Sequence, residues 1–287
     1  MKIARVFPRR TKATPDDSLA FTRGPILDDF SRGIDEVHVS VAFTYDLPKA
    51  EKLARLWSGI APVKIGGPGT GMAGGDFTPG LYLKHGYIIT SRGCPNRCWF
   101  CSVPKREGAL RELPITPGWN LLDDNLLRCS DKHIREVLLM MSLQQERPRF
   151  TGGLEPAALK PWQAELLKSL SPQVLWFAYD TPSDYEPLVI AGRTLRDAGF
   201  TTAGHSLGCY VLIGWPDGDN HPPADTIERA ERRLKQTVAA GFFPQAMLYR
   251  ASGHTPTQEW RRFAREWANK IIVGTKMRAN FQSKGPQ

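Results

Sequence analysis

The stretch Tyr87-Ile-Ile-Thr-Ser-Arg-Gly-Cys94-Pro-Asn-Arg-Cys98-Trp-Phe-Cys101 decides how the rest of the chain is read. A short apolar run, Tyr87–Thr90, enters a loop at Gly93, and the loop carries three thiols at C-x3-C-x2-C spacing. Three soft donors on one short loop hold a metal centre and leave a coordination position open, which points to chemistry rather than to structure alone. Structural zinc wants a fourth ligand at fixed spacing. Here the fourth would have to be Cys129, Cys209 or one of six scattered histidines, and none stands at such spacing.

Outward from this loop, toward the C-terminus, strand-like and helix-like segments alternate. Trp119-Asn-Leu-Leu122 precedes Asp123-Asp124-Asn125, and Asp131 is expected to cap a helix with Ile134, Val137, Leu138 and Met141 on one face. Pro148-Arg-Phe150 leads into Thr151-Gly-Gly-Leu-Glu155, followed by a helix through Leu166, Leu167 and Leu170. Val174–Ala178 reads as a strand ending at Tyr179-Asp180. A helix over 185–198 stops at Gly199. Cys209–Ile213 is a strand ending at Gly214, and Asp225-x-x-Glu228 is expected to form a capping box for a helix that ends at Gly241. Phe243–Tyr249 is the last strand, before a helix over 257–271. Six strand–loop–helix units imply a parallel sheet with crossover helices and suit an open partial barrel. Polar groups gather at the strand C-termini, where such folds place their chemistry.

Residues 1–85 read as a short Rossmann-like segment, residues 86–272 as the partial barrel and residues 273–287 as a basic tail. The first segment has strand candidates at Lys2–Phe7, Val37–Phe43 and Val63–Ile65, and a helix over Pro48–Trp57. Its run Gly66-Gly-Pro-Gly-Thr-Gly-Met-Ala-Gly-Gly75 lacks the order of a phosphate-binding fingerprint and is expected to be a connector or lid.

The C-x3-C-x2-C loop, with aromatic Phe100 just before the third cysteine, resembles the radical S-adenosylmethionine (radical SAM) superfamily. The wider stretch Thr90–Cys101, with Leu121–Asn125, resembles the subset of methylthiotransferases and cobalamin-dependent enzymes. That resemblance implies a partial (β/α)6 TIM-like barrel and a [4Fe–4S] cluster held by Cys94, Cys98 and Cys101. It implies SAM on the open iron, an external electron donor such as flavodoxin or ferredoxin, and a 5′-deoxyadenosyl radical that takes hydrogen from substrate. It places Phe100 near the adenine, Asp123 and Asp124 at the SAM amino group, and Glu155 at SAM or substrate. Asp180 falls to the ribose hydroxyls, and Ile213 and Gly214 to the adenine. Asp124-Asn125 and Asp180-Thr-Pro also read as ordinary turn and helix-entry residues. Tyr179 and Cys209 are conceivable hydrogen donors that also suit plain packing.

Departures from the subset narrow the expectation. No cysteine precedes Cys94, so the second cluster of methylthiotransferases is not expected. Asp35-Glu-Val-His38-Val-Ser40 lacks the spacing of a cobalamin loop, so the first segment reads as a reduced remnant that no longer binds cobalamin. The formal net charge is +9. Basic residues with interleaved Trp260, Phe263, Trp267 and Phe281 concentrate near the C-terminus. This tilts the substrate toward an anionic one, a nucleic acid or nucleotide whose base or base side chain is modified or rearranged as an isomerase would. The alternatives are a radical enzyme on a peptide or small metabolite, and an iron–sulfur nucleic-acid-binding redox sensor. Five cysteines without a disulfide-framework pattern suit a reducing compartment. Met1–Arg10 has no apolar leader core and no run approaches a membrane span, so a cytoplasmic protein is expected.

Overall fold

The computed structural model describes residues 1–201, 206–218, 222–250, 254–269 and 271–276. The tail expected over 273–287 therefore lies largely outside the described residues, as do Lys270, Arg278, Phe281 and Lys284. The fold is mixed α/β with parallel sheets. The chain divides into two compact units. The first takes Met1–Arg97, Cys101–Asp124 and Cys129–Gln144; the second takes Cys98–Phe100, Asn125–Arg128 and Gln145–Gln287.

In the first unit, β1 (Ile3–Val6), β2 (Ala20–Phe21), β3 (Glu36–Ser40) and β4 (Val63–Gly66) form a parallel sheet in the order β2-β1-β3-β4. A short helix α1 (Leu27–Phe30) precedes β3, and α2 (Leu47–Trp57) joins β3 to β4. β3 alternates in burial, with Val37 and Val39 in a core shared with Leu53 and Trp57 of α2. Trp57 lies 4.7 Å ring to ring from Phe21 and donates Nε1–H to the Arg23 carbonyl at 3.0 Å. The two-residue β2 was not expected from sequence. Only its pairing with β1 defines it, since two residues carry no periodicity.

The same unit holds the parallel pair β5 (Tyr87–Ile88) and β8 (Asn120–Leu121). Between them come β6 (Ser91–Arg92) antiparallel to β7 (Arg111–Glu112), and α3 (Val103–Glu107). α4 (Asp131–Ser142) follows with Ile134, Val137, Leu138 and Met141 buried as expected. Its cap is Ser130, whose hydroxyl accepts from the His133 amide, and not Asp131, which is the first helical residue.

The second unit contains β9 (Arg149–Leu154), α5 (Pro161–Ser169), β10 (Val174–Tyr179), α6 (Tyr185–Asp197), β11 (Leu207–Ile213), α7 (Ile227–Ala239), β12 (Phe243–Leu248) and α8 (Gln258–Ala268). The strands β9 to β12 pair in sequence order, all parallel. Within the second unit the strand order is β12-β11-β10-β9. No described helix is long and apolar enough to cross a membrane.

α7 departs from its expected start. Thr226 is the cap, accepting from the Arg229 amide. Asp225, expected to open the capping box, is instead buried and pairs twice with Arg233, at 2.7 and 3.1 Å. It also accepts from the Gly214 amide at 2.8 Å, and so ties the end of β11 to α7. Removing one partner of a buried ion pair strands the other charge. Asp225→Ala should therefore cost about 3–5 kcal/mol in urea unfolding, whereas Glu228→Ala should leave the midpoint almost unmoved. Equal midpoints for the two variants would contradict this account.

Candidate metal centre

Two carboxylates set the path into the cysteine loop. Asp123, directly after β8 and Leu122, is buried and accepts from the Thr90 amide at 2.5 Å, the Thr90 hydroxyl at 2.6 Å and the Ser91 hydroxyl at 2.8 Å. Burial pushes its carboxyl up, against the pull of those bonds. Asp124 accepts from the Gly93 amide at 2.9 Å, one residue before Cys94, and lies 3.6 Å from the Arg106 guanidinium. Burial raises this carboxyl too. The pair expected at the SAM amino group thus holds the backbone that delivers the cysteines.

Arg106 extends the network. It donates to Glu107 at 2.9 Å, as does Arg111 at 2.8 Å, and Glu107 accepts from the Gly74 amide at 3.1 Å. Burial pushes Glu107 up, but the bonds from Arg106, Arg111 and Gly74 outweigh it and hold the carboxylate below its ordinary range. Sequence reading missed this cluster. Its only local signal is the Glu107/Arg111 pair at i,i+4.

The loop thiols of Cys94, Cys98 and Cys101 are half-buried, whereas Cys129 and Cys209 are buried. Burial raises the Cys129 thiol to about 12 and drives Cys209 well above its usual range. Thiolate ligands need access and a reachable pKa. The loop thiols meet the first condition and the two interior ones meet neither, so the donor set suits a thiolate-held cluster. Among the described residues no three His, Cys, Asp or Glu side chains already form a metal cage. The three cysteines are linked by their C-x3-C-x2-C spacing in sequence. No family model matches the chain, and no curated protein matches it.

Within the second unit, Trp99 lies 5.7 Å ring to ring from both Trp215 and Tyr249 and meets Phe100 edge-on at 5.3 Å. Arg233 stacks over Trp215 at 4.5 Å. Trp215 was not foreseen, because its link to Trp99 spans 116 residues of sequence (215 − 99).

The other expected site residues fall at strand ends but have partners of their own. Glu155, after β9, accepts from Nε and Nη2 of Arg128 and from Asn125 at 2.7 Å. Ile213 is fully buried, and its carbonyl accepts from the Tyr249 amide at 2.9 Å. Gly214 sits at φ +73 where a Cβ would lie 3.0 Å from the Trp260 ring, and its amide is taken by Asp225. Tyr179 is buried, donates to Gln236 at 2.7 Å and is pushed up to about 12 by burial. Tyr179 and Cys209 are both buried in the second unit.

Asp180, at the end of β10, accepts from the Leu212 backbone and stands apart in how it titrates. Asp184, not Asp180, caps the turn into α6, accepting from the amides of Asp180 and Thr181. Burial, reinforced by the Asp184 charge, raises the Asp180 carboxyl to about 7. The folded chain then holds a proton that the unfolded chain releases near the ordinary aspartate value of 3.8, so this group lowers stability as pH rises from about 4 to 7. Asp180→Asn removes that ionisation. The melting temperature of the variant should exceed that of the parent by about 3–6 °C at pH 7.5, with the gap shrinking toward pH 4.5. A gap that is flat across this range, or widest at pH 4.5, would refute the shift.

Proposed function

We propose that the chain is a radical SAM enzyme on a partial (β/α)6 barrel, with one [4Fe–4S] cluster and a nucleic-acid base or nucleotide as its substrate. The observation that carries the reading is the C-x3-C-x2-C loop leaving β5 in a parallel α/β sheet, since chemistry in such sheets gathers beyond the strand C-termini. Cys94, Cys98 and Cys101 are the cluster ligands. When bound, the cluster and SAM supply reductive cleavage of the S–C5′ bond and abstraction of a hydrogen atom from substrate.

The chain's own residues position and select. Asp123 and Asp124 fix the strand exit through Thr90, Ser91 and Gly93. The Glu155–Arg128–Asn125 cluster offers a carboxylate and a guanidinium, which suit the amino and carboxylate groups of SAM through charge-assisted bonds. Phe100 offers a ring edge for the adenine. The amide of Gly214 and the carbonyl of Ile213 are committed within the protein, so adenine recognition there is left to packing. Asp180, its carboxyl raised to about 7, can donate to or accept from a ribose hydroxyl.

The substrate class rests on charge. In α8, Trp267 is buried and Trp260 and Phe263 are half-buried, while Arg261, Arg262 and Arg265 face solvent. The aromatic face packs and the arginine face offers a surface for phosphates. Two measurements on anaerobically reconstituted, reduced protein test the proposal. With SAM, it should form 5′-deoxyadenosine above the uncoupled rate on adding at least one of DNA, RNA or nucleotides. Cys98→Ala should lose cluster absorbance and cleavage together. No substrate-stimulated cleavage would rule out the substrate class. Cleavage retained by Cys98→Ala would rule out the ligand assignment, and an intact cluster that never cleaves SAM would favour the sensor.

A further inference from the structure

The first unit contains a cavity of about 410 Å³ that the radical reading does not use. Volumes of this size hold drug-sized molecules. It lies at the C-terminal ends of β1, β3 and β4, where Phe7-Pro-Arg9, Ser40 and Ala42, and Gly66-Gly-Pro68 line it. In the sheet order β2-β1-β3-β4 the chain turns one way from β1 to β2 and the other way to β3. The reversal falls between β1 and β3, and ligands of open parallel sheets bind in the crevice beyond the strand ends at such a reversal.

The glycine run closes the cavity without being a phosphate cradle. A Cβ on Gly67 would lie 2.7 Å from the Val41 carbonyl oxygen, and one on Gly69 would lie 2.7 Å from the Phe43 carbonyl carbon. The loop is thus packed onto the exit of β3, not the loose connector that its composition suggests. Several of its amides are spent inside the protein. Gly69 donates to Val41 at 2.8 Å, Thr70 to Gly67 at 3.0 Å and Gly74 to Glu107 at 3.1 Å. A phosphate needs such amides turned outward.

The charges on the wall also cancel. Arg9 pairs with Asp46 through two bonds of 2.8 Å, Lys64 with Glu36 at 2.7 Å, and Arg92 stands 3.7 Å from Glu107. Asp76, exposed on the lining, adds a carboxylate. His38 is held between Glu36 at 2.8 Å and Tyr82 at 2.6 Å, its ring stacked near Tyr82. The remaining wall is largely apolar, with Phe7, Ile65, Phe77 and Ile89 among its residues. Each lysine and arginine on this wall thus has a carboxylate beside it.

We infer that this cavity binds an uncharged aromatic or heteroaromatic small molecule, stacked among its rings, and neither a phosphate-bearing nucleotide nor a corrinoid. The site goes beyond the radical reading and is tested without SAM, so it stands or falls separately from SAM cleavage. Full-length protein is titrated with indole, caffeine and lumichrome, and separately with FMN, inorganic phosphate and hydroxocobalamin. At least one uncharged ring should bind saturably, one per chain, in the micromolar range. FMN should bind no tighter than lumichrome, which has the same type of ring without the phosphate. Ala42→Trp, at an exposed lining position, should weaken binding at least tenfold with unchanged circular dichroism; Ser40→Leu serves if the tryptophan variant does not fold. The inference is overturned by any of four results: no binding of all three rings, displacement of a bound ring by inorganic phosphate, FMN or hydroxocobalamin binding tenfold tighter than lumichrome, or unchanged affinity in the folded variant.

Discussion

One buried carboxylate governs the geometry around the cysteine loop. Asp123 accepts three hydrogen bonds from Thr90 and Ser91, and so fixes the chain between β5 and the loop against the end of β8. A carboxylate withdrawn from water is costly unless its lone pairs are filled, and here the strand exit fills them. The neighbouring Asp124 then catches the Gly93 amide, so the residue before the first cysteine is held as well. The loop's eight residues from Cys94 to Cys101 start from a fixed point, although no ready-made cage exists among them.

The network continues through charge. Arg106 bridges Asp124 and Glu107, and Glu107 gathers Arg106, Arg111 and the Gly74 amide. A single buried carboxylate among several guanidiniums is well compensated, and its lowered pKa reflects that. The glycine run and the segment after the cysteines thereby share one anchor inside the first unit. On the wall of the cavity beside them, Arg9 pairs with Asp46 and Lys64 with Glu36, while Arg92 shares Glu107.

Much of this was legible in sequence, and the rest was not for definite reasons. The strands around Val37, Val174, Cys209 and Phe243 and the helices of the second unit follow from apolar periodicity and their stop residues, which are local signals. Strand-end positions of Asp123, Glu155, Asp180 and Gly214 were legible for the same reason. Their partners were not. Asp225 carries a helix-start pattern, yet the neighbouring Thr226 takes the cap because the carboxylate is claimed by Arg233 two turns on. Glu107, Trp215 and the cavity depend on residues brought together from distant positions, which no window of sequence displays. Barrel closure is likewise a long-range property that no window of sequence displays, whereas the parallel order of β9 to β12 follows from the local strand–helix alternation.

The most direct test of the central claim is electron paramagnetic resonance of the reconstituted, dithionite-reduced protein with and without SAM. One cluster with an open iron predicts about four irons per chain and a reduced-cluster signal that changes on adding SAM. A signal unaltered by SAM, or an iron-free chain that binds zinc through the same cysteines, would contradict it.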